Sequence, residues 1–183
     1  MKITDPLAFD AALRQVLSEQ QDDIVALWNG PRSAYTSFMK TVVLPKIAPL
    51  LGLQHHRYEY YSLDCIYIEG YDTEHFGPDS GYPFYFAVIV EHENDSKRSC
   101  EEMSKLLLFN APLKILITYS RSPELEPHLS RYAKMIDSSG SAPAVSTSQR
   151  VLVIFGDKPQ ESPVWRSYLY EDGTFREIAF TGA

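Results

Sequence analysis

Phe84-Tyr85-Phe86-Ala87-Val88-Ile89-Val90-Glu91-His92-Glu93-Asn94 is the run whose reading decides the fold. Seven apolar residues lead directly into two carboxylates one residue apart. An unbroken aromatic and β-branched run of this length predicts a central strand buried on both faces. Side chains alternate along a strand, so Glu91 and Glu93 share one face while His92 and Asn94 take the other. Two like charges about 4 Å apart at an effective dielectric of about 20 repel by roughly 4 kcal/mol. A divalent cation, a lysine or protonation has to relieve that repulsion.

Working outward, Arg57 to Glu69 is rich in aromatic and β-branched residues and predicts a partner strand, antiparallel across the Gly70–Tyr82 loop. Asp64 lies in the middle of it, against strand propensity, and is explained either by an exposed edge or by a shared carboxylate site. Downstream, residues 96–110 predict a helix with Ser99 and Glu102 as a capping box and Glu101–Lys105 as an i,i+4 pair. Leu113 to Tyr119 predicts a buried strand, 123–136 a helix and Val151 to Phe155 a third buried strand. Glu171-Asp172-Gly173 marks a hairpin between 165–170 and 174–180. Upstream, Asp5 caps a helix that starts at Pro6, and Ile24 to Trp28 forms a short helix. Ser33 to Leu51 forms a long helix kinked or ended by Pro45 and Pro49.

The expected fold is α/β: a mixed central sheet flanked by helices, with N-terminal helices over 1–53, a core over 55–136 and C-terminal strands and hairpin over 150–183. The 183 residues, 44% hydrophobic and 22% charged, suit one soluble domain. No apolar run reaches membrane-spanning length and the N-terminus lacks the apolar core of a signal peptide, which predicts a cytoplasmic protein without membrane contact. Cys65 and Cys100 have no paired spacing, so neither a disulfide scaffold nor a zinc knuckle is indicated. His55, His56 and His75 have no ligand spacing either, and His92 reads as a core histidine.

Net charge is −7, which by itself argues against a nucleic-acid partner. Its distribution matters more, because residues 54–96 hold nine acids and one base while the rest of the chain is nearly neutral. A locally acidic centre suits a cation site as well as a solvated loop. Hard carboxylate oxygens suit Mg²⁺ or Mn²⁺, which commonly takes one or two carboxylates plus waters and substrate phosphates.

Asp64, an apolar strand ending Glu91-His92-Glu93-Asn94, a helix with Lys105 and then Leu113 to Tyr119 together resemble the core of the PD-(D/E)xK nuclease superfamily, the restriction-endonuclease-like fold. That resemblance implies Asp64 and Glu91 as metal ligands for Mg²⁺ or Mn²⁺. It implies a lysine two residues after the second acid, where this chain has Glu93. Family variants with a glutamate there, or with the lysine moved to the following helix, make Lys105 the corresponding lysine and Glu93 a further ligand or a base through water. The implied activity is metal-dependent hydrolysis of phosphodiester bonds in DNA or RNA. Lys97, Arg98, Lys114, Arg121, Arg131 and Lys134 would steer a phosphate backbone, or else form ordinary solvated faces. An alternative is an inactive member of the fold that acts as a protein-interaction or regulatory module, favoured by the acidic charge and by Glu93. A phosphohydrolase acting on a small nucleotide is a third reading. Oligomeric state, a homodimer included, is open.

Overall fold

The computed structural model describes residues 5–56, 61–76, 81, 83, 85–121, 124–140, 144–145, 148–157 and 163–178. Helix α1 (Pro6–Glu19) starts as expected: the Asp5 carboxylate accepts the Leu7 N–H at 3.0 Å and Pro6 fills the first turn, where its missing N–H costs nothing. α2 (Gln21–Trp28) follows. The long helix expected over 33–51 is in three pieces: α3 (Arg32–Phe38), a π-helical turn (Met39–Val43) and α4 (Leu44–Leu50). The proline ring of Pro45 would meet the carbonyl of Thr41 in a regular α-helix, and the wider turn placed just before it relieves that clash. Gly52, at φ +68°, ends the segment.

The strands are β1 (Gln54–His55), β2 (Cys65–Ile68), β3 (Phe86–Glu93), β4 (Leu113–Tyr119), β5 (Arg150–Asp157), β6 (Val164–Glu171) and β7 (Thr174–Ile178). A short helix, α5 (Thr73–Phe76), lies in the stretch expected to be loop, and α6 (Ser99–Leu108) and α7 (Leu125–Ser138) complete the elements. All seven strands form one sheet in chain order. β1, β2 and β3 are antiparallel neighbours, β3, β4 and β5 are parallel, and β5, β6 and β7 are again antiparallel. The parallel steps are the two that carry a helical crossover, as parallel pairing requires. The β6–β7 turn places Asp172 at φ +48° and Gly173 at φ +81°, the two left-handed residues of a tight hairpin.

The period-two pattern decides which core each residue joins. Val88, Val90, Ile115, Ile117, Leu152 and Ile154 pack under α1–α4, while Ile89, Leu116, Val151 and Val153 pack under α6 and α7. The sheet is thus sandwiched between two helical layers, with β3 an interior strand beside the central β4 and its residues 87–92 buried. One polar clamp ties the first helix to the late strands. Asp10, 3% exposed, accepts from the Ser167 hydroxyl and pairs with Arg14 at 2.8 Å, and Arg14 in turn donates to the Trp165 carbonyl at 3.4 Å. No helix among the described residues is long and apolar enough to cross a membrane.

Candidate functional site

The acid end of β3 lies where β2 has not yet begun. Asp64 was expected mid-strand, but β2 starts at Cys65, opposite Val90. Its carboxylate fills the place of the missing strand: Oδ2 accepts the His92 N–H at 2.8 Å, a β3 donor without a backbone partner on that side. Oδ1 is 2.6 Å from Lys40 Nζ, which reaches in from the π-helical turn. Tyr61 and Ser62, three and two residues ahead of Asp64, both adopt left-handed backbone at φ +51° and +58°. Two consecutive non-glycine residues there store strain of about 1 kcal/mol or more each. The strained turn aims the Ser62 carbonyl at Lys105, whose Nζ donates to it at 2.9 Å.

Alternation places Glu91 on the face of β3 covered by α6. It has no solvent exposure, and its Oε1 is 2.9 Å from Lys105 Nζ. The same ammonium is 2.6 Å from Glu102 Oε2. Lys105 thus holds Glu91, Glu102 and Ser62 together. Burial, then the charge of Asp64, pushes the Glu91 carboxyl up from 4.5 to about 9, against the opposing pull of Lys105. Burial pulls Lys105 down, but contacts with Glu102 and Glu91 outweigh it and raise the ammonium above its usual value. A fully buried acid kept protonated near neutrality, beside a second acid and a lysine, is the kind of electrostatic tension found at functional sites.

The other face of β3 is different in kind. His92 Nε2 is 2.8 Å from the Tyr119 hydroxyl, which donates to Tyr35 at 3.2 Å, and burial lowers the imidazole to about 4. It is the neutral core histidine the sequence predicts. Asn94 donates to the Arg32 carbonyl at 3.3 Å and to the Thr36 hydroxyl.

Of the residues expected to form the site, Asp64, Glu91 and Lys105 are brought together and Glu93 is not. Glu93 accepts the Asp95 N–H at 2.8 Å and makes no ion pair among the described residues. Glu102 takes its place beside Lys105, and the expected Glu101–Lys105 pair is replaced, since Glu101 pairs with Arg98 at 3.5 Å. Nor does Ser99 form a capping box with Glu102: its hydroxyl reaches the Ser96 carbonyl and the Tyr132 hydroxyl, and Glu102 points to the lysine. Lys114 drops out of the bases that would steer a phosphate backbone. It is 1% exposed on β4, and burial lowers its ammonium to about 8. Lys97, Arg98, Arg121, Arg131 and Lys134 are exposed. His75 pairs with Asp72 at 2.9 Å and His56 meets the Tyr71 hydroxyl at 3.3 Å. Residues 57–60 of the expected partner strand and 179–180 of the expected hairpin lie outside the described residues.

Lys40 and Glu102 are the site residues that sequence reasoning missed. Beside Lys40 and Asp64 opens a cleft of about 530 Å³, walled by Thr41 and Pro45 on one side and by His55 and His56 on the other. No group of three or more histidine, cysteine or acidic side chains placed to hold a metal occurs among the described residues. Asp64, just ahead of β2, and Glu91, on β3, are hard oxygen donors of the type that Mg²⁺ or Mn²⁺ takes with several waters, and each lies against a lysine ammonium. Compared with models of known protein families and with curated proteins, the chain matches none.

Proposed function

We propose that the chain is a metal-dependent phosphodiester hydrolase of the PD-(D/E)xK type acting on nucleic acid. The observation that carries this reading is the position of Lys105, which stands on the helix after the E-x-E strand with Nζ 2.9 Å from Glu91. A lysine on that helix facing away from the acids would have left Glu91 a mere packing error. The element order supports the same reading: an acid just ahead of one strand, a second acid on its antiparallel neighbour, then a helix and a parallel strand.

In this reading Asp64 and Glu91 hold a Mg²⁺ or Mn²⁺ ion. When bound, the ion polarises the phosphate, lowers the pKa of a bound water and stabilises the leaving oxygen. Lys105 keeps Glu91 oriented and places positive charge where negative charge develops on the phosphate. Glu102 and the Ser62 carbonyl fix the ammonium, so its position does not depend on substrate. Glu102 replaces Glu93 as the third acid.

The second reading, an inactive relative that acts as an interaction or regulatory module, is favoured by one observation. Each acid already has an internal cation, Lys40 on Asp64 and Lys105 on Glu91. The two separate by thermal unfolding in increasing Mn²⁺. A hydrolase shows a rising Tm that Glu91→Ala abolishes. No metal-linked shift, together with no cleavage of single- or double-stranded DNA or RNA in Mn²⁺, refutes the hydrolase.

A further inference from the structure

The two lysines of the site are held in different ways. Lys105 has three partners, Ser62, Glu91 and Glu102, and its side chain is 25% exposed. Lys40 has one partner among the described residues, Asp64, and its side chain is 38% exposed. It also borders the 530 Å³ cleft, whereas Lys105 does not line it. The carboxylate that Lys40 neutralises is the one a divalent ion would take.

We propose that Lys40 is an exchangeable cation: it neutralises Asp64 while no metal is bound, and turns into the adjoining cleft to hold a substrate phosphate when the metal takes Asp64. This inference rests on the hydrolase reading and extends it to a substrate-binding role for a helix outside the acid–lysine cluster. Three features make the exchange physical. The first is competition, since ammonium and metal cannot both sit on Oδ1, 2.6 Å from Nζ. The second is reach. Lys40 and the cleft-lining Thr41 are consecutive in the π-helical turn, a local widening often found at functional sites, so a rotamer change redirects Nζ without moving the helix. The third is chemistry. Among the described residues Lys40 is the one lysine or arginine that lines the cleft, and a released ammonium gives it a strong charge for a phosphate oxygen. While Lys40 and Asp64 remain paired their charges offset each other, so metal and phosphate binding reinforce each other.

The proposal predicts opposite effects from one substitution. In Lys40→Gln the competitor is gone, and calorimetric titration is expected to show Mn²⁺ bound roughly fivefold tighter than by the wild type. A short fluorescein-labelled oligodeoxynucleotide in Ca²⁺, read by anisotropy, is expected to bind the same variant roughly fivefold more weakly. Lys40→Arg, which keeps the charge, is expected to restore wild-type metal affinity and most of the oligonucleotide affinity, and Lys40→Met, which also removes the competitor, provides the test if Lys40→Gln does not fold. A merely structural Lys40 would move the Tm and neither affinity. Unchanged or weaker Mn²⁺ binding in Lys40→Gln overturns the exchange, and so does unchanged oligonucleotide binding. Absence of Mn²⁺ binding by the wild type is a different failure, because it overturns the hydrolase reading and the exchange falls with it.

Discussion

Replacing Glu91 by glutamine keeps the shape of the side chain, removes its charge and leaves an amide that faces Glu102 as a protonated carboxyl would. The expected effect follows from the 4.5 to about 9 displacement of the carboxyl in the folded protein. In the unfolded chain Glu91 ionises near 4.5, so between these values the folded state holds one more proton than the unfolded state. Stability therefore falls as pH rises, at a limiting slope of about 1.4 kcal/mol per pH unit. The contribution is intact below about pH 4.5 and is lost once pH passes about 9. From pH 5 to pH 8 the limiting loss is about 4 kcal/mol, and relaxation and water entry around an ionised Glu91 recover part, leaving about 2 kcal/mol. Glu91→Gln has no such loss. Domains of this size shift by roughly 2–4 °C per kcal/mol, so the variant is expected to gain about 4–8 °C on the wild type between pH 5 and pH 8. Circular dichroism melts of both proteins across that range give the difference directly. The neutral His92, the exposed acids and the other histidines are common to both proteins and cancel. A gap independent of pH, or a wild type that gains on the variant as pH rises, refutes the reasoning that Glu91 is buried protonated.

Three further substitutions probe the surroundings. Lys105→Met removes the cation shared by Glu91 and Glu102 and is expected to cost about 1–3 kcal/mol in urea unfolding near neutrality; the cost shrinks in a Glu91→Gln background, and additive costs would show that the two do not interact. Tyr119→Phe leaves His92 Nε2 without its partner and is expected to lose about 1–2 kcal/mol, measured by the same unfolding assay. In Gly156→Ala the new Cβ would lie 2.6 Å from the Tyr119 ring, and overpacking is expected to cost about 1–3 kcal/mol, read as a lower Tm; a neutral result would show that the ring moves freely.

The elements with strong periodic signals were legible in the sequence. Val88, Ile89 and Val90 alternate between the two cores, Glu91 and His92 take opposite faces as period two demands, and 113–119 forms β4 at its expected bounds. The hairpin at Asp172-Gly173 was legible because only left-handed backbone fits a two-residue turn there. The site was half legible. Asp64, Glu91 and Lys105 could be named because they lie on elements whose order is readable. Lys40 could not, because its contact with Asp64 spans 24 residues and depends on a π-helical turn that shifts every following side chain. Pro45 was the available signal, read there only as a kink or an end. Glu102 was assigned to a helix cap on local spacing, and the local preference lost to a nearby ammonium that offered more. Lys114 was counted among surface bases because a lysine usually is one, and nothing in Leu113 to Tyr119 distinguishes which strand positions have solvent.

The clamp between Asp10, Arg14, Trp165 and Ser167 has a consequence for how the chain acquires its structure during synthesis. The apolar stripe of α1, with Phe9, Leu13 and Val16 under 2% exposed in the finished fold, leaves the ribosome well ahead of β6. Its polar anchor on β6 is made about 150 residues later, the separation of Arg14 from Trp165 and Ser167. At roughly 5–20 residues per second that interval lasts on the order of ten seconds. Over that interval α1 can pack on α4 and β3 but lacks its polar anchor on β6, and slowing translation ahead of β6 would lengthen the wait.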